Sequence, residues 1–186
     1  MKSVQDMSIG ELAAYISSHL QKHGIEVVLS GGSCVSIYSR NAYVSLDLDF
    51  IDNRFTRRKK LREALSEIGF MEENRYFKHP ETKVIIEFPS GPLSVGEEPV
   101  KEIINLELAT GTLRIISPTD CIKDRLAAFF HWQDRQSLAQ AVLVAQSKKI
   151  DLSEIERWAK SEGKLQEFRK IREFRQIRKF LSKKKK

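Results

Sequence analysis

Residues 27–52 read VVLSGGSCVSIYSRNAYVSLDLDFID, and no other stretch of the chain limits its folding options as much. An apolar β-rich run ends on two glycines, a short helix-compatible stretch follows, and Asp47 and Asp49 then stand in an otherwise apolar segment. Burying an unpaired carboxylate is strongly unfavourable, so the aspartates either face water or face something positive. YVSLDLDFID alternates as a strand does, and side chains along a strand alternate between faces. Leu46, Leu48 and Phe50 are thereby assigned to the core. Ser45, Asp47, Asp49 and Ile51 fall on the opposite face, with the aspartate Cα atoms roughly 7 Å apart. Carboxylates so placed can converge on hard cations: Mg²⁺ prefers oxygen ligands, and two ions about 4 Å apart clamp an in-line phosphoryl displacement. For the Asp-x-Asp alone, a half-exposed strand with polar groups toward water is the simpler account.

The glycines add a second element. Gly31, Gly32 and Ser33 follow a buried-type strand and open a helix, which offers backbone N–H groups and a helix N-terminus to a phosphate. Without side chains at Gly31 and Gly32 that phosphate can approach closely, and Ser33 adds a hydroxyl. No Gly-Lys-Ser/Thr follows, so this is not a Walker loop, nor is it a dinucleotide fingerprint. A third acid would complete a two-ion site. Glu87 in KVIIEFP lies on the face of Lys83 and Ile85, opposite Val84, Ile86 and Phe88. It is either that third ligand or an ordinary solvent-facing glutamate. Glu107 in LELA is the weaker substitute.

The rest of the chain reads as an α+β fold with a helical C-terminal extension. Ile9, Leu12, Ile16 and Leu20 recur at helical spacing ahead of Gly24, and RRKKLREALSEIGF is an amphipathic helix closed by Gly69. RYFKHPETKVIIEFP reads as a hairpin turning at HPET, PSGPLSVGEEP as a loop, and EIINLELA with TLRIISP as a second hairpin around TG. From Ser117 the pattern is helical: SPTDCIKDRLAAFFHW opens with a cap and an early proline, and three further helices follow. The expected division is a mixed-sheet core over residues 1–116 and a helical region over 117–186. With 186 residues, 41% of them hydrophobic, one well-filled core is within reach. No run approaches the eighteen or so apolar residues of a membrane span. The N-terminus lacks a signal-peptide core, and two cysteines form no disulfide framework, so a reduced cytoplasmic protein is the expectation.

Strand, Gly-Gly-Ser, short helix and Asp-x-Asp strand together resemble the polymerase-β-like nucleotidyltransferase superfamily, most of all its AbiEii-type and minimal nucleotidyltransferase proteins. LRIISPTDCIKDRLAAFFHWQDRQSLAQA is similar to the helical stretch that follows the core in those proteins. The resemblance implies that Gly31, Gly32, Ser33 and Ser45 serve nucleotide binding. It also implies that Asp47, Asp49 and Glu87 are both the catalytic residues and the Mg²⁺ ligands, and that an NMP passes from an NTP to an acceptor hydroxyl. Relatives often carry Arg where Tyr43 stands, a Lys where Arg125 stands, and acids where Ser137 and Gln140 stand. Lys123 and Arg125 are carried over as nucleotide-binding residues, with Lys123, Asp124 and Asp134 as candidates to replace the missing groups. The alternatives are a non-catalytic nucleotide- or RNA-binding module and a toxin–antitoxin component.

Charge bears on the acceptor. From Arg157 to Lys186 there are thirteen Lys or Arg against three Glu, a balance of +10. The whole chain carries +7, so the first 156 residues carry −3. A basic tail on a mildly acidic body fits a polyanion, which points to RNA, although a solvated helix face has the same composition. Within the tail Phe168, Ile171, Phe174, Ile177 and Phe180 form a slowly wrapping stripe suited to docking on the body or a partner. His79 and His131 lack partners at ligand spacing and read as structural, and Cys34 reads as a small buried thiol. Phe129, Phe130 and Trp132 read as packing between the helical region and the core, or as part of a homo-oligomer interface.

Overall fold

The structure, a computed structural model, describes residues 2–171 and 173–176. A 3-10 turn over Val4–Asp6 leads into α1 (Ile9–Lys22). A reciprocal capping box sets the start of α1: the Ser8 side chain accepts from the Glu11 N–H while the Glu11 carboxylate accepts from the Ser8 N–H. Its apolar stripe buries Leu12, Ile16 and Leu20. β1 (Val28–Ser30) then enters the core, and α2 (Gly31–Tyr38) starts on the first glycine with no intervening turn. β2 (Asp47–Ile51), α3 (Arg58–Ser66), β3 (Met71–Glu73), β4 (Tyr76–Lys78) and β5 (Ile85–Glu87) follow. Next come β6 (Ser94–Val95), β7 (Glu98–Pro99), β8 (Ile103–Leu108) and β9 (Gly111–Ile116).

Seven strands form one mixed sheet in the order β3-β4-β5-β2-β1-β9-β8, while β6 and β7 make a separate two-stranded hairpin. β1 is antiparallel to β2 and parallel to β9, and β2 is parallel to β5. The register sets Ser30 opposite Asp49 and Asp49 opposite Glu87, so these three residues stand in one row across the middle of the sheet. Neighbours in such a row project to the same face.

Three sequence expectations change. Leu46 is not core: β2 begins one residue later, and Leu46 is 51% exposed. Its carbonyl already accepts from the Ile85 N–H, but strict alternation begins only where the ladder does. The segment read as the loop PSGPLSVGEEP contains the β6–β7 hairpin, turning at Gly96 and Glu97. β3, which the sequence did not announce, adds a short edge strand beside β4. Both longer hairpins are present, with Phe77 opposite Ile86 in one and Leu106 opposite Leu113 in the other.

α4 (Pro118–Trp132), α5 (Arg135–Ser147), α6 (Leu152–Ser161) and α7 (Leu165–Lys170) follow, and residues 173–176 are helical as well. Ser117, Asp134 and Asp151 each cap the N-terminus of the helix that follows through a side-chain oxygen. One hydrophobic cluster runs through both parts of the chain, joining Leu29, Phe50 and Ile86 of the sheet to Leu126, Phe130 and Trp158 of the helices. Phe130 stacks on Trp158 with ring centroids 6.2 Å apart, whereas Trp132 is largely exposed. Phe168, Ile171 and Phe174 are buried against the body. Ile177, Phe180 and the closing basic run lie outside the described residues. Among the described residues no helix is long and apolar enough to cross a membrane.

Candidate active site

A cleft of about 370 Å³ opens beside Ser30 and Asp49 of the row across β1, β2 and β5. Ser30, Gly31, Asp49 and Ile51 line one wall, the segment from Pro89 to Val95 lines a second, and Asp124 and Arg125 of α4 close a third. The volume lies within the range typical of small-ligand sites.

Serines fix the aspartates to α2. The Ser33 hydroxyl donates to the Asp47 carbonyl, the Ser45 N–H donates to the Ser36 hydroxyl at 2.8 Å, and the Ser30 hydroxyl donates to the Asp49 carbonyl at 3.4 Å. Ser33 is fully buried, so its hydroxyl braces β2 and is not offered to the cleft. Ser45 is buried too, with its hydroxyl beside both Gly32 and the backbone of Asp47. The reason for glycine at position 31 also changes. Gly31 has φ +70°, and a Cβ there would coincide with the carboxylate of Asp49. What occupies the space is this chain's own acid, packed against the first turn of α2, whose N–H groups have no partner within the helix. Gly32 is the second glycine of that turn and is partly exposed.

Asp47 is exposed and Asp49 half-buried. Burial pushes the Asp49 carboxyl up to about 6, helped first by the negative charge of Glu87 and then by that of Asp47. Glu87 is held on its other side by the Arg75 guanidinium, Nε to Oε1 3.3 Å, reaching from the β3–β4 turn. The three carboxylates do not form a closed single-ion cage. Among the described residues, the His/Cys/Asp/Glu trio whose ligand atoms all lie within 4.8 Å of one another is His19, His23 and Glu67. Asp49 lines the cleft, whereas Asp47 and Glu87 are not among its lining residues and stand beside Asp49, two residues earlier on β2 and opposite it on β5. A divalent cation there would relieve the like-charge crowding that raises Asp49, and a set of carboxylate oxygens suits Mg²⁺.

Across the cleft the Arg125 guanidinium pairs with Asp124, Nη2 to Oδ2 2.5 Å, and its Nη1 reaches the Gln140 side-chain oxygen at 3.4 Å. Burial opposes the charge, but Asp124 more than offsets it and holds Arg125 above its ordinary value. Lys123, carried over as a nucleotide-binding residue, points the other way. It is fully buried and ion-paired with Asp120 at 2.6 Å and Glu154 at 3.2 Å, an interior tie between α4 and α6. Two residues of helical register separate the two cations, a rotation of about 200° that sends one to the cleft and the other to the core. Asp134 caps α5 and accepts from Ser137, and it is not among the residues lining the cleft. Asp124, which the sequence offered only as a replacement, lines it together with Asp49.

No protein-family model and no curated protein sequence matches the chain. Solved structures do. The chain is similar to an antigenic nucleotidyltransferase-like protein from Paracoccidioides brasiliensis, with a TM-score of 0.61 at 13% identity over 95% of this chain and 88% of that one. The fold is nucleotidyltransferase-like. The antibiotic-resistance factor ANT(2'')-Ia is a second relative in shape, with a TM-score of 0.51 at 13% identity over 87% of this chain and 90% of that one. At such identity the likeness concerns the nucleotidyltransferase-like architecture alone, which is the one the sequence resemblance implied.

Proposed function

We propose that the chain is a Mg²⁺-dependent nucleotidyltransferase that moves an NMP from an NTP to an acceptor hydroxyl. The observation that carries this reading is the Ser30–Asp49–Glu87 row with Asp47 beside it, set against the first turn of α2 on a nucleotidyltransferase-like fold. Asp47, Asp49 and Glu87 would hold the metal, which when bound neutralises charge at the reacting phosphate and lowers the pKa of the attacking oxygen. The chain's own groups do the rest. The N–H groups opening α2 hold phosphate oxygens, and Arg125 faces the same cleft as a bidentate anion partner. Gly31 leaves room for the Asp49 carboxylate, and Ile51, Leu93 and Val95 supply apolar lining to the cleft. The basic tail favours RNA as the carrier of the acceptor hydroxyl.

A non-catalytic nucleotide-binding module is the second reading. Ser137 and Gln140 stand where the sequence resemblance would place acids, and here they bond to Asp134 and Arg125. Titrating each NTP into the protein, with and without Mg²⁺, and repeating with Asp47→Ala/Asp49→Ala, tests the binding site. A labelled-NTP transfer assay on RNA and protein acceptors then separates the two readings. Mg²⁺-dependent binding lost in the double variant, followed by label transfer, is expected. Binding without transfer to any acceptor selects the module, binding indifferent to metal and aspartates overturns the transferase, and absence of NTP binding overturns both.

A further inference from the structure

A second cluster of ligand-bearing side chains lies on α1 and α3, formed by residues that do not line the acidic cleft. His19 and His23 are four residues apart at the end of α1, so they share one helix face, and their ring centroids are 4.7 Å apart. Glu67 closes α3 and points its carboxylate between them: Oε2 is 3.0 Å from His23 Nε2 and 3.6 Å from His19 Nε2. The Ala64 carbonyl, in the last turn of α3, is 2.8 Å from His19 Nε2. Ligands bound at about 2.0–2.2 Å to a tetrahedral ion stand about 3.3–3.5 Å from one another. The spacings here bracket that value, so small side-chain adjustments would bring the donors around a single centre.

We propose that His19, His23 and Glu67 bind one divalent transition-metal ion of the zinc class, with the Ala64 carbonyl or water completing its shell. Two imidazoles and one carboxylate form a borderline donor set, which suits Zn²⁺ or Co²⁺ and discriminates against Mg²⁺. The negative end of the α3 dipole faces the same point and favours a cation there. His19 is mostly buried, and an Nε2 proton shared with the Ala64 carbonyl would be released when a metal binds, whereas Glu67 is half exposed, which leaves an entry path from solvent. The bound ion would tie the end of α1 to the end of α3. This inference goes beyond the proposed transferase activity and does not rest on it.

The test is titration of Zn²⁺, and of Co²⁺ followed by visible absorption, into the full chain without a polyhistidine tag. It is run on wild type, His23→Ala, Glu67→Gln and Asp47→Ala/Asp49→Ala, each checked for native circular dichroism. The expected result is one equivalent of Zn²⁺ and a Co²⁺ spectrum of nitrogen and oxygen ligands, both retained in the Asp47/Asp49 variant. His23→Ala should weaken binding by more than about 10-fold, since even outer-shell changes are worth 10–100-fold. Absence of stoichiometric binding would reduce the cluster to a His–Glu ion pair and overturn the proposal. So would equal affinity in wild type, His23→Ala and Glu67→Gln, or a loss confined to the Asp47/Asp49 variant.

Discussion

Asp49 ionises against its surroundings, and its behaviour with pH follows. Its carboxyl sits at about 6 in the fold against an ordinary 3.8. A carboxyl raised on folding contributes its stabilisation below the unfolded value and loses it as pH climbs through the folded one, so the metal-free fold weakens between about pH 4 and 6. A shift of this size corresponds to about 3 kcal/mol. Asp49→Asn is therefore expected to gain on wild type in thermal midpoint as pH rises from 4 to 7 without metal. Metal affinity runs the opposite way. Below pH 6 a proton competes for the same oxygens, and calorimetry should show Mg²⁺ affinity falling roughly tenfold per pH unit. At position 31, alanine meets both a positive φ and the Asp49 carboxylate. Gly31→Ala is expected to cost at least about 2 kcal/mol in urea denaturation and to abolish Mg²⁺-dependent nucleotide binding.

At the scale of elements, α4 divides its cations between core and cleft. Lys123→Ala leaves the carboxylates of Asp120 and Glu154 without their buried partner and should destabilise by about 3–5 kcal/mol. Nucleotide affinity measured on the remaining folded protein should stay unchanged. Arg125→Ala should do the reverse, lowering nucleotide affinity with a smaller loss of thermal midpoint. The sequence carried the order and type of the main elements because each has a local cause. Ser8 with Glu11 starts α1, Ser117 with Pro118 starts α4, and alternation from Asp47 to Ile51 makes β2. It also carried the face shared by Asp47 and Asp49. It did not carry the directions of Lys123 and Ser33. Those depend on Asp120 and Glu154 in one case and on the Asp47 carbonyl in the other, both tertiary partners. His19 and His23 went unremarked beside His79 and His131, because their third member, Glu67, arrives only when α3 packs on α1.

At the scale of the molecule, charge is unevenly placed: Asp49, Asp124 and Arg125 line the cleft, and the chain ends in a run of lysines. If RNA is the acceptor, removing residues 178–186 should lower RNA affinity and flatten its salt dependence, each lost phosphate contact removing about 0.7 from the slope for a single strand. NTP affinity at fixed ionic strength should not change, which filter binding and calorimetry on the truncated chain can check together.

The seating of Asp49 against Gly31 makes two positions, eighteen residues apart in sequence, a single genetic unit. Alanine at 31 is excluded first by the carboxylate and only second by φ. Once position 49 shrinks, the steric part of that exclusion disappears and a backbone penalty of about 1–2 kcal/mol remains. The two changes should therefore be strongly non-additive in a double-mutant cycle. Among descendants of this chain, an alanine at 31 should be found only where the acid at 49 has already been given up, so that loss of chemistry precedes loss of the glycine.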